Sequence, residues 1–150
     1  MNRGENRNPA LVELILVLLF FSLSALVLVQ VFVKAHLTSE ESRTQTLGIL
    51  KAQDVMEQWK EDPEHPEALF HVGDGWEEAP DAGDVRTFYM QCNEELESVS
   101  REQSTYEMRV NLWTETLAAG SLYHIQTQVN SLRDGKTEVV LKTARYIPKW

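Results

Sequence analysis

Cysteine is nearly absent from this chain. Cys92 is alone among 150 residues, so no disulfide can close within the chain and a zinc site built from several cysteines is excluded. Helix-breaking residues are scarce and unevenly placed. After Pro9 no proline occurs until Pro63, and Gly48 is the only glycine between Gly4 and Gly73. A stretch of that length without Gly/Pro punctuation is free to be helical. Positive charge is also in short supply: 14 Lys and Arg against 23 Asp and Glu give a formal net charge of −9. Between residues 54 and 102 only Lys60, Arg86 and Arg101 oppose the acids. Without a basic stripe, nucleic-acid binding is not expected. An acidic body is repelled by an anionic leaflet, which favours a domain held off a membrane surface.

The motifs of common enzymes are missing as well. No HExxH, GxSxG, P-loop or GxGxxG occurs. His36, His65, His71 and His124 are scattered; His65 and His71 share a proline-rich stretch with Glu64 and Glu67 and read as solvated loop residues. Asp74, Glu77, Glu78, Asp81 and Asp84 bring oxygen ligands among glycines, without the ordered spacing of an EF-hand. Cys92 has no activating neighbour in sequence and reads as a small apolar side chain. The expectation is a non-enzyme with no catalytic residues, no cofactor and no metal site.

What is present in abundance is apolar sequence at one end. Residues 10–33 form an almost unbroken apolar run, matching the ~20 residues a helix needs to cross a bilayer. The run exceeds the about 7–15 apolar residues of a secretory signal and has no small-residue cleavage site behind it, so a retained anchor is expected. Its flanks carry Arg3 and Arg7 on one side and Lys34 and Arg43 on the other, nearly equal by the positive-inside count. The short head decides for a cytoplasmic N-terminus and an extracytoplasmic C-terminal domain. Glu13 lies inside the run. A carboxylate there costs roughly 2.5 kcal/mol or more, which marks Glu13 as a functional candidate; the plainer alternative is a side chain that reaches up to the headgroups.

Beyond residues 34–43, which are polar, the pattern becomes one-sided. Ile49, Ala52, Met56 and Trp59 recur at three- and four-residue spacing, the stripe of an amphipathic helix. Thr38 and Glu41 have capping-box spacing, so the helix either restarts there or runs on without a break. Residues 62–84 hold Pro63, Pro66, Pro80, Gly73, Gly75 and Gly83 and read as a long connection. Its apolar Leu69, Phe70, Val72 and Trp76 should dock in part.

Then the period shifts towards two. Strands are expected at 85–92, 105–114, 122–132 and 138–147, with an Asp-Gly hairpin turn at 133–136. Tyr106, Met108, Val110 and Leu112 share one face, as do Tyr123, Ile125, Thr127 and Val129. The expected fold is α+β: a long N-terminal helix, half transmembrane and half amphipathic, packed on an antiparallel sheet of three or four strands. The parts are a head at 1–9, the anchor at 10–33, the amphipathic helix at 34–62, and a loop-plus-sheet region at 63–150 that forms one domain with 34–62.

The stretch Pro9-Ala10-Leu11-Val12-Glu13-Leu14-Ile15-Leu16-Val17, the amphipathic continuation through Trp59 and the closing Tyr123–Val129 and Leu141–Tyr146 segments resemble a type IV pilin or type II secretion pseudopilin. The resemblance implies a minor structural subunit of a secretion, competence or pilus system. Its partners would be other pilin-like subunits met through the N-terminal helix, an inner-membrane assembly platform and the lipid bilayer. It also implies that Glu13 meets the freed amine of a neighbouring subunit and so sets axial register. The family's peptidase cuts after glycine, or sometimes alanine, whereas alignment on Glu13 puts the bond at Asn8–Pro9; the head is therefore expected to be retained or cut inefficiently. The competing expectation is a single-pass, membrane-anchored extracytoplasmic binding domain outside any fibre.

Overall fold

The computed structural model describes residues 9–80 and 83–149. The head, Arg7, the Asn8–Pro9 bond and Asp81 of the acidic loop lie outside the described residues. The chain divides into two compact units, Met1–Glu41 and Ser42–Trp150.

In the first unit the described residues are helical, part of a helix α1 that spans Pro9–Glu61. Pro9 opens it, where a missing N–H costs nothing. Its large apolar side chains, Leu11 and Ile15 through Phe32 and Leu37, are all exposed. This is the one helix among the described residues long and apolar enough to cross a membrane, and it lies near the N-terminus. Thr38 does not cap a helix: its hydroxyl donates to the Lys34 carbonyl at 2.9 Å, a bond made within a helical turn.

The second unit is the last part of α1 packed on a five-stranded antiparallel sheet. The strands are β1 (Trp76–Glu78), β2 (Val85–Cys92), β3 (Tyr106–Leu117), β4 (Gly120–Ser131) and β5 (Thr137–Pro148), and they lie in sequence order across the sheet. Such a meander needs only short connections. The four long strands fall where the alternating pattern puts them. The fifth, β1, is a correction to the expected three or four; it has three residues, too few for alternation to declare itself. It is held by the register Trp76↔Met90 and Glu78↔Phe88.

One sheet face is apolar. Phe88, Met108, Val110, Leu112, Ile125, Val129 and Val139 are buried there together with Met56 and Trp59 of α1. The connection after α1 closes one end of this core. Phe70 stacks on Phe88 at 4.7 Å and meets Trp76 edge-on at 4.9 Å, which is the geometry aromatic rings favour. At the β4–β5 hairpin Gly135 adopts φ +69°, and the Asp134 carboxylate accepts from the Lys136 N–H at 3.2 Å. That turn uses aspartate and glycine for the reasons those residues favour turns. The register slips by one between Val129 and Asn130, a β-bulge beside the turn.

Candidate functional site

Two features of α1 were singled out by sequence, and the structure treats them differently. Glu13 lies in the second turn of α1 among exposed apolar side chains. Among the described residues no cation pairs with it. The other polar group in this stretch with a defined bond is Ser22, whose hydroxyl donates to the Leu18 carbonyl at 2.8 Å. A hydroxyl can thus be satisfied inside the helix itself. A carboxylate has only acceptors when ionised, so it cannot be satisfied by donating to a helix carbonyl as Ser22 does.

The packing stripe begins one residue earlier than the sequence pattern suggests. The buried residues of α1 are Gly48, Ala52, Met56 and Trp59. Ile49 is 40% exposed, so it does not belong to the buried face. The reason is steric. A Cβ on Gly48 would lie 2.9 Å from Val139 Cγ2 and 3.5 Å from Val129 Cγ2. The helix approaches β4 and β5 closely there, and glycine permits the approach. Ala52 is fully buried, and Trp59 is 2% exposed. Further along the same face the larger Met56 and Trp59 are packed in the core with the sheet residues.

A shallow cleft of about 340 Å³ lies beyond the end of α1, bordered by Trp59, Pro63, Glu64, Arg86 and Tyr123. Two of its polar groups are engaged by carboxylates. Arg86 donates to Glu78 at 2.9 Å and to Glu67 at 3.1 Å, and these carboxylates raise its pKa. Tyr123 donates to Glu64 at 3.3 Å. On the other sheet face Trp113 and His124 stack at 4.9 Å with ring planes 3° apart, and His124 Nε2 lies 3.6 Å from Glu115. That pair is cross-strand, Trp113↔His124, and was not flagged by sequence. Aromatic residues at matched positions of two strands were its only signal.

Cys92 is buried, and burial pushes its thiol up to about 11. A thiol held neutral is a poor nucleophile. His65 Nδ1 lies 3.1 Å from the Asp62 carboxylate; the bond raises the histidine pKa and lowers that of the aspartate. In β1 Glu77 accepts from Tyr89 at 2.6 Å. Among the described residues no three His, Cys, Asp or Glu side chains converge as metal ligands.

No family model, curated protein or solved structure matches this chain. The architecture itself, a long apolar N-terminal helix on an antiparallel sheet, is compatible with a pilin-like fold.

Proposed function

We propose that this protein is a minor pseudopilin- or pilin-like structural subunit of a type II secretion, competence or type IV pilus assembly, and that its work is assembly rather than catalysis. One observation carries the reading. A single helix combines a membrane-length stretch, apolar all round and bearing one carboxylate, with a stripe that packs on a small antiparallel sheet. The first stretch anchors the subunit as a single-pass protein of the cell membrane, N-terminus cytoplasmic and sheet domain extracytoplasmic. On assembly the same stretch packs against the helices of other pilin-like subunits, delivered by an inner-membrane platform. Glu13 then finds its cation in a neighbour, which gives each incoming subunit one favoured axial position; an unpaired carboxylate at that depth is protonated or snorkels.

The test is Glu13→Gln in the native host. The substitution keeps the size and removes the charge. Membrane insertion should be unchanged and co-purification with other pilin-like subunits should fall. If co-purification, secretion and piliation all stay at the wild-type level, Glu13 only snorkels, and the membrane-anchored binding domain becomes the better account.

A further inference from the structure

The two edges of the sheet are built differently. β1 has three residues, its Glu77 and Glu78 side chains are engaged by Tyr89 and Arg86, and Pro80 follows it. These are the devices that keep an edge from pairing: shortness, charge and proline. β5 has 12 residues, pairs with β4 on one side and has no strand on the other. Its only proline, Pro148, is its last residue. Alternate residues of such a strand direct N–H and C=O groups outward, so a row of backbone donors and acceptors stands open.

The side chains along this edge are also unlike the rest of the molecule. Lys142 and Arg145 are exposed and make no ion pair among the described residues. They stand on a chain of formal net charge −9. Val140 and Tyr146, on the outer face with Lys142, are 47% and 46% exposed. The strand therefore offers main-chain bonds, apolar contacts and an uncompensated positive charge together.

We propose that the free edge of β5 takes up an extended acidic segment of a neighbouring subunit as a sixth strand. Main-chain hydrogen bonds give the segment its hold, and carboxylates three positions apart, one on each face of the added strand, meet Lys142 and Arg145, which point to opposite faces of β5. That the segment belongs to a neighbouring subunit rests on the assembly reading above. The docking chemistry does not, because it can be measured with a peptide and no second protein.

The experiment uses the full chain in detergent micelles and the fluorescein-labelled peptide Thr-Val-Glu-Val-Thr-Glu-Val, whose two glutamates stand three positions apart, with anisotropy as the readout. The peptide should bind saturably. Its counterpart with lysine at each glutamate should bind far more weakly. N-methylation of the peptide at alternate backbone nitrogens keeps every charge and deletes the outward donors; the version methylated on the pairing side should lose binding, and the one methylated on the other side should keep it. Lys142→Glu with Arg145→Glu should weaken the acidic peptide at least about tenfold, since charge-assisted contacts carry that much. Equal binding of both methylated peptides would reduce the effect to charge attraction and overturn the proposal. So would equal binding of the lysine peptide, or no binding at all. A failure here leaves the Glu13 result untouched, and a failure at Glu13 leaves the edge chemistry standing.

Discussion

Residues 10–33 and residues 42–61 of α1 have the same backbone and opposite surfaces. The first stretch exposes Leu, Val, Ile and Phe around the full turn. The second buries only Gly48, Ala52, Met56 and Trp59. Secondary structure is common to both, so what separates them is the medium each side chain is made for. A helix facing lipid gains nothing from a stripe, because every direction is equally apolar. A helix on a sheet gains from one face alone, and the other must be wet. The comparison implies that size and shape should matter greatly in the second stretch and little in the first.

The largest expected effect tests that contrast directly. Trp59 is buried against the sheet core. Trp59→Ala should cost about 3–5 kcal/mol, the usual cost of emptying a buried aromatic site. Phe21→Ala, at a side chain 72% exposed, should leave the unfolding midpoint of the sheet domain where it was. Both are read by denaturant titration of the full chain in micelles, followed by near-ultraviolet dichroism. Equal midpoints for Trp59→Ala and the wild type would mean that the stripe does not hold the helix to the sheet.

That contrast was largely legible in the sequence, and so were the four long strands. Apolar run length and the change of period from 3.6 to two are properties of many residues at once, so single exceptions do not erase them. Two details were not legible. Periodicity counted Ile49 as apolar and ignored Gly48, because a glycine carries no hydrophobic signal; its place in the stripe depends on the Val139 and Val129 methyls of distant strands. β1 lies between Gly75 and Pro80 in a segment that reads as loop, and it exists because β2 offers it an edge. For Glu13 the sequence supplied the position, and among the described residues no cation pairs with it.

Gly48 sets a middle-sized effect. Gly48→Leu would drive a branched side chain into Val139, whose Cγ2 already lies 2.9 Å from the position of a Cβ. Overpacking of this kind costs about 1–3 kcal/mol. Against it stands the better helix propensity of leucine, worth up to about 1 kcal/mol relative to glycine. The net expectation is a lower midpoint than wild type. A higher midpoint would mean that the helix and the β4–β5 pair can move apart at no cost, and that the stripe's first contact is loose.

The smallest effect concerns two hydroxyls in the two settings. In the apolar stretch Ser22 donates to the carbonyl four residues back, a bond any helical serine can make. In the sheet Thr127 is fully buried on the core face, and its hydroxyl has no partner among the described residues. A strand offers no carbonyl in its own turn, because its backbone acceptors are directed at the neighbouring strands. An unpaired buried hydroxyl is a desolvation cost without return, and replacing it by a methyl of the same shape removes that cost. Thr127→Val should therefore leave the midpoint unchanged or raise it by up to about 1 kcal/mol, since removing an unsatisfied polar atom from a core is neutral to stabilising. Ser22→Ala, by contrast, should change nothing in the sheet domain. A clear fall in stability for Thr127→Val would show that the hydroxyl has an acceptor in solution, and the difference between helix and strand would then lie in which partner is found rather than in whether one exists.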